Sequence, residues 1–275
     1  MTRRGPARRS EGALERRLLR HADSLVLGLA LVFQGCAGLI AGKESAEAPP
    51  APRAPAAGGA VQVERGRPGL VIAAPHGTSD TATDVIGRDL AKLTGWGLVV
   101  VTGYNHLDAE GRRYNVNRPT EGVPGAAARF EMESEPARQI YQAYRRHVAE
   151  AAQGPLRLYV ELHGNGRKES AGRLEIATVG VGRDDAWRLK TLLELIRDSR
   201  LPAEGDVPRL DVWIESLDPL WYTASAAKQS GMLGQATLAL HIEIPRAART
   251  THREVYTTVL ADFLIQSASL LLPPR

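Results

Sequence analysis

Apolar runs that alternate with helix-patterned segments constrain the fold of this chain more than any other feature. The run "GLVIAAP" at 69–75 has no polar side chain, which is typical of a strand buried on both faces. In the next segment, 81–95, apolar residues recur near helical spacing, and "GLVVVTGY" at 97–104 is a second apolar run. The alternation predicts an α/β fold with a mainly parallel or mixed sheet and helices on both faces, in a single domain.

The same patterns predict the remaining elements. Further helices are expected at 134–154, 184–199 and 250–272. Further strands are expected at 156–166, 173–180, 209–216 and 236–246. Between them, the polar, glycine-bearing segment 105–130 predicts a long loop, and long loops in compact domains usually carry function.

The first part of the chain has the pattern of a leader. An arginine-rich segment precedes the apolar run "SLVLGLALVF" and then "QGCAG", which contains Cys36, the only cysteine of the chain. Residues 1–36 therefore predict a signal peptide with a lipoprotein-type cleavage site, and the Pro/Ala/Gly-rich residues 37–62 predict a tether to a domain at 63–275. The predicted location is the bacterial cell envelope, held to a membrane by lipid on Cys36. Two alternatives stay open: a secreted or periplasmic protein with an ordinary signal, and a cytoplasmic enzyme whose true start lies later.

Charge is concentrated in the same leader. Residues 1–23 hold seven arginines against three acidic residues, which accounts for the whole formal net charge of +4. The rest of the chain is neutral overall, so no nucleic-acid partner is expected.

Three predicted strands end in side chains that can bind a metal. His76 follows the first strand, His163 ends the strand at 156–166, and Glu243 lies near the end of the strand at 236–246. Ligand sites in such sheets lie at the carboxyl ends of the strands. A hydrolytic zinc site needs three ligands from histidine and carboxylate, and His76, Asp80 and His163 can supply them.

Two points of this hypothesis stay open. Glu243 is the candidate general base beside the metal, because a carboxylate in an otherwise apolar strand needs a partner or a purpose. Asp80 could instead cap the helix at 81–95, in which case Asp84 is the alternative ligand.

Four short motifs carry a family resemblance. "APHGTSD", "YNVNRP", "VELHGNG" and "HIEIPR", within residues 69–250, resemble the N-formylglutamate amidohydrolase group, which is related to the zinc carboxypeptidases and has a phosphorylase/hydrolase-like fold. The resemblance implies that His76, Asp80 and His163 bind Zn²⁺, that Asn117 and Arg118 bind a substrate carboxylate, and that Glu243 is the base. Carboxypeptidases place the carboxylate ligand three residues after the first histidine, where this chain has Ser79. Arg112 or Arg113 is the expected carbonyl-polarising arginine.

Together these features predict a lipid-tethered, zinc-dependent hydrolase of amide or peptide bonds. Its expected substrates are small molecules or peptides with a carboxylate, such as N-acyl amino acids. The alternative is a non-catalytic envelope lipoprotein that uses the same fold to bind a ligand or partner.

Overall fold

The computed structural model describes residues 59–107, 111–127 and 130–273. Among these residues, nine segments are strands: β1 Ala60–Glu64, β2 Arg67–Ala74, β3 Trp96–Thr102, β4 Thr120–Gly122, β5 Glu131–Glu133, β6 Leu158–Asn165, β7 Arg173–Val179, β8 Asp211–Ile214 and β9 Leu238–Pro245. Six segments are α-helices: α1 Thr83–Thr94, α2 Glu135–Ala152, α3 Arg183–Arg200, α4 Ser225–Gln229, α5 Arg246–Arg249 and α6 Arg253–Leu271. Two short 3₁₀ turns lie at Lys168–Ser170 and Leu233–Gln235.

Seven of the strands form one mixed sheet in the order β1-β3-β2-β6-β9-β7-β8. Its centre is parallel, because β3, β2, β6 and β9 run in the same direction. At the edges, β1 is antiparallel to β3, and β7 is antiparallel to β9. The remaining strands, β4 and β5, form a small antiparallel hairpin within and just after the segment predicted as a long loop. The predicted α/β class, with a mainly parallel or mixed sheet in a single domain, is confirmed.

Both faces of the sheet are covered, as predicted. Alternate residues of β2 point to opposite sides, so Ile72 belongs to the core cluster on the side of α1, α3 and α6, whereas Val71 belongs to the cluster on the side of α2. Each of these side chains is fully buried, which stabilises the fold by about 1.5–3 kcal/mol per residue. Ile242 and Ile244 of β9 face the α1 side. Glu243, between them, must therefore point to the α2 side.

Local sequence signals set the ends of the helices that flank the site. The Ser134 side chain accepts a hydrogen bond from the Ala137 amide and so caps α2, with Pro136 in the first turn. Gly95 ends α1 in the left-handed conformation, with φ of 70°, which glycine adopts without strain. None of the described helices is long and apolar enough to span a membrane.

Two features of the N-terminal region bear on the predicted organisation. β1 begins at Ala60 and includes the last residues of the segment predicted as a tether. The predicted leader, Cys36 and most of the tether lie outside the described residues, so the signal, lipid and envelope assignments stay predictions.

Candidate metal centre

Histidines and carboxylates meet at the carboxyl ends of the parallel strands. β6 and β9 are in register, so that Glu161 lies opposite His241 and His163 opposite Glu243. All four side chains are buried, on the face that carries α2. This placement follows from the two-residue period of a strand, because Leu162 and Ile242 face the other side.

His76, Asp80 and His163 form a group with the spacing of metal ligands. The Asp80 Oδ2 atom lies 3.6 Å from Nδ1 of His76 and 3.4 Å from Nδ1 of His163. Tetrahedral ligands that bind zinc at about 2.0–2.2 Å lie roughly 3.3–3.6 Å from one another. The two distances from Asp80 fit this value, so the spacing of these ligand atoms is compatible with a tetrahedral metal site. The structure therefore brings together the three residues that the sequence predicts as ligands.

Asp80 points into this group and does not cap α1. The helix begins at Thr83, its N-cap is Ala82, and no side chain caps it. The Oδ2 atom of Asp80 instead accepts a hydrogen bond of 3.0 Å from the backbone amide of Gly164, at the end of β6. Burial raises the pKa of Asp80, but hydrogen bonds with His163 and His76 outweigh burial and hold the pKa well below its usual range. Asp80 is thus ionised and ready to bind a cation.

Asp84, the alternative ligand, is engaged elsewhere. Its Oδ2 atom accepts a hydrogen bond of 2.8 Å from Arg88, one turn later in α1. Asp84 is not a member of either metal-compatible group among the described residues. The structure thus favours Asp80.

We expect Asp80→Ala to lose most of the metal affinity and Asp84→Ala to keep it. Asp80 supplies one of three ligand atoms, whereas Asp84 only pairs with Arg88. Metal titration of both variants, monitored by calorimetry, measures the difference. Loss of metal in Asp84→Ala with retention in Asp80→Ala would reverse the assignment.

Glu161 lies behind His163 and is the most connected carboxylate of the site. It has no exposed surface, and its Oε2 atom lies 3.2 Å from Nε2 of His163 and accepts a 3.1 Å hydrogen bond from Asn117 Nδ2. Its Oε1 atom accepts a 2.9 Å hydrogen bond from Tyr159, whose hydroxyl also contacts that of Tyr144. A carboxylate in this position turns Nδ1 of His163 toward Asp80 by holding Nε2.

The two carboxylates also set the charge of His163. Burial lowers the pKa of His163, but interactions with Asp80 and Glu161 outweigh burial and raise the pKa to about 10. Burial raises the pKa of Glu161, and its hydrogen bonds with His163 and His241 reverse this and lower it. Without metal, His163 is therefore the cation that balances the buried carboxylates, and a bound metal ion would replace that charge.

Glu161, His163 and His241 form a second group with metal-compatible spacing. The rings of His163 and His241 are stacked, with centroids 4.1 Å apart and an angle of 30° between their planes. Imidazole nitrogens bind metals along the ring plane, so two nearly parallel stacked rings do not converge well on one ion. Glu161 Oε2 also already accepts a hydrogen bond from Asn117. We therefore interpret this group as the support of the first.

We expect Glu161→Gln to lower metal affinity by about ten- to a hundredfold, the usual cost of losing a partner that orients a ligand. The amide would present a donor where Asn117 and Tyr159 already donate. Competition with a chromophoric chelator measures the affinity, and Glu150→Gln, at an exposed position of α2, is the control. Unchanged metal affinity in Glu161→Gln would show that Glu161 does not orient the His163 ring.

Glu243 has the features of a general base. Its side chain is 5% exposed, and its Oε1 atom lies 3.0 Å from Nε2 of His241. The other oxygen, Oε2, is buried and has no hydrogen-bond partner among the described residues. A buried carboxylate oxygen without a donor is costly in a purely structural role. Glu243 lies opposite His163, one of the candidate metal ligands, in the β6–β9 register.

The predicted substrate-binding pair lies near the site but is already engaged. Asn117 is buried and donates to Glu161. Arg118 forms a two-pronged ion pair with Glu131 of β5, through its Nε and Nη2 atoms. Burial lowers the pKa of His76, and the positive charges of His163 and Arg118 lower it further. Their role in binding substrate stays a prediction.

Arg249 is a site component that sequence reasoning did not identify. Its buried guanidinium donates to the backbone carbonyls of Ile244 and Thr81. A Cβ atom on Gly164 would lie 2.7 Å from the Arg249 Cζ atom, so a side chain at Gly164 would displace the guanidinium. Arg249 thus ties the ends of β6 and β9 to the loop that carries Asp80. The arginine directly after "HIEIP" is Arg246, and Arg249 comes three residues later, so the sequence has no signal that singles out Arg249.

Comparisons with known proteins give only distant structural likenesses. No family model matches the chain, and no curated protein matches it. Among solved structures, a bacteriophage poly-gamma-glutamate hydrolase is 12% identical, with a TM-score of 0.45 over 77% of this chain and 88% of that one. A zinc-free form of a protein named YndL is 15% identical, with a TM-score of 0.44 over 78% and 91%. A metallo-carboxypeptidase from Burkholderia cenocepacia is 14% identical, with a TM-score of 0.40 over 76% and 62%.

Proposed function

We propose that this protein is a metal-dependent hydrolase of amide or peptide bonds, with Zn²⁺ held by His76, Asp80 and His163. The observation that carries the proposal is the pairing of two features. A three-residue ligand group with tetrahedral spacing lies beside Glu243, whose buried Oε2 atom has no hydrogen-bond partner among the described residues. Zinc hydrolases need three protein ligands and an adjacent base.

Each partner has a distinct task in this chemistry. A zinc ion in such a site polarises the amide carbonyl and lowers the pKa of water toward about 7. Glu243 accepts the proton of the attacking water at Oε2 and later donates it to the leaving amine. His241 holds the other oxygen of Glu243, and Glu161 holds the ring of His163, so both side chains keep their orientation during the reaction.

The proposed substrates are N-acyl amino acids or peptides with a free carboxylate. The support is the resemblance of the four motifs to the N-formylglutamate amidohydrolase group. Two arginines are candidates to bind the carboxylate: Arg118, whose charge helps to lower the pKa of His76, and Arg167, two residues after the end of β6. If the leader acts as predicted, the enzyme works in the cell envelope, attached through Cys36.

Removal and return of metal tests the proposal. The purified full chain, treated with a chelator and reloaded with one equivalent of Zn²⁺, is screened against N-acyl amino acids and short peptides. We expect hydrolysis that requires metal and returns with zinc. A protein that binds metal but hydrolyses no member of the panel would instead support the non-catalytic alternative.

A further inference from the structure

Arg167 lies near the start of the loop that follows β6. It follows the last residue of β6, Asn165, by two positions, and its backbone amide donates a 2.9 Å hydrogen bond to Asn165 Oδ1. The buried Asn165 also exchanges hydrogen bonds with Ser170, which closes the loop at its other end. Because Asn165 and His163 share one face of β6, the loop starts about 7 Å beyond the metal ligand.

The guanidinium of Arg167 is supported by two aromatic rings. Its Cζ atom lies 5.4 Å from the ring centroid of Trp221 and 5.5 Å from that of Tyr222, within the range of cation–π attraction. Among the described residues, no carboxylate forms an ion pair with Arg167. Its side chain is exposed, so a ligand can reach the guanidinium from solvent.

A buried carboxylate holds the two aromatic residues in place. Glu175 Oε2 accepts hydrogen bonds of 2.8 and 3.0 Å from the backbone amides of Trp221 and Tyr222. Glu175 is fully buried, pairs with Arg173, and lies opposite Glu243 in the β7–β9 register. Burying a carboxylate is costly unless it is paired and hydrogen-bonded, so Glu175 needs these donors. The two hydrogen bonds fix the backbone of Trp221 and Tyr222.

Tyr222 connects the aromatic pair to the end of β6. Its hydroxyl donates a 3.3 Å hydrogen bond to Asn165 Oδ1. Burial raises the pKa of Tyr222, Glu243 raises it further, and Arg167 lowers it. The Tyr222 side chain thus contacts both Asn165, at the end of β6, and the Arg167 guanidinium.

Arg118 offers a weaker anion site. Two of its three guanidinium nitrogens are taken by Glu131, and the third lies 3.4 Å from Asn117 Oδ1. A substrate carboxylate would have to displace Glu131 from a part-buried pair. At Arg167 no such competitor is present among the described residues.

We propose that Arg167, supported by Trp221 and Tyr222, binds the free carboxylate of the substrate. The inference rests on the proposed function and refines its substrate class. We assign the carboxylate to the amino acid that contributes the scissile nitrogen, because an α-carboxylate is separated from that nitrogen by a single carbon atom and Arg167 lies only four residues beyond His163 along the chain. The enzyme thus removes an acyl group, or a peptide, from a terminal amino acid.

Equilibrium binding to the metal-free full chain tests this subsite without turnover. The probes are N-benzoylglycine and N-acetylalanine, each compared with its carboxamide by calorimetry. The variants are Arg167→Gln and Arg118→Gln, with Arg188→Gln, at an exposed position of α3, as the control. We expect the wild type and the control to bind at least one carboxylate about ten- to a hundredfold more tightly than its amide.

In Arg167→Gln this preference should fall to about twofold or less, and in Arg118→Gln it should remain. A preference that survives in Arg167→Gln, that is lost only in Arg118→Gln, or that is absent from the wild type for both pairs would overturn the inference. The proposed function can fail independently of this inference. If the zinc-loaded protein keeps its carboxylate preference but hydrolyses no amide, the carboxylate subsite is supported and the proposed hydrolase activity is contradicted.

Discussion

Glu243→Gln should lower kcat by about a hundredfold to ten-thousandfold while zinc remains bound. Glutamine keeps the shape of the side chain and a hydrogen bond to His241, but its amide cannot accept the proton of the attacking water. The effect belongs to Oε2, the oxygen that has no hydrogen-bond partner among the described residues. Steady-state kinetics on a hydrolysed N-acyl amino acid, together with metal analysis of the same sample, measures both quantities.

Two outcomes would contradict this assignment in different ways. Nearly normal turnover in Glu243→Gln would show that another group takes the proton. Loss of zinc would make Glu243 a ligand, and the role of Asp80 would then be withdrawn. Glu254→Gln, at the start of α6, is a control in which neither property should change.

His163→Ala should abolish both metal binding and metal-dependent activity. His163 contributes a ligand atom 3.4 Å from Asp80 Oδ2, and its other ring nitrogen faces Glu161. The variant removes a candidate ligand and leaves the buried Glu161 and the half-buried Asp80 without their cation. In wild type, zinc at a hundred times its Kd should stabilise the fold by about 2.7 kcal/mol, and in the variant this increment should vanish.

Thermal unfolding with and without zinc measures the increment. His163→Gln, which keeps a hydrogen-bonding side chain, separates loss of a ligand from loss of folding, and circular dichroism of the metal-free protein checks the fold. A full zinc-dependent shift in Tm in both variants would remove His163 from the ligand set.

The fold class follows from the sequence, whereas strand direction requires more than the pattern of apolar residues. The run at 173–180 looks like any buried strand, yet β7 is antiparallel to β9. The reason is the short connection 166–172, since a parallel crossover needs about a dozen residues or more. The sequence pattern does not predict β1, because the strand has few apolar residues and adjoins a Pro/Ala/Gly-rich tract.

The two histidines of the candidate ligand group are predictable because they lie at the ends of strands. A histidine after a buried strand lies at the carboxyl edge of the sheet, so the sequence predicts that His76 and His163 meet. What supports them was not predictable. Which strands are neighbours decides that Glu161 faces His241, and the sequence does not contain that order. Arg167 and Glu175 depend on the same topology and on a loop near residues 221–222, which the sequence pattern leaves without structure.

The most direct test of the central claim is the location of the metal. Crystals of the protein loaded with one equivalent of Zn²⁺, with diffraction data collected on both sides of the zinc absorption edge, place the ion by its anomalous signal. We expect one peak about 2.0–2.2 Å from Nδ1 of His76, Nδ1 of His163 and Oδ2 of Asp80. No peak there, or a peak held by Glu161 and His241 instead, would contradict the proposed centre.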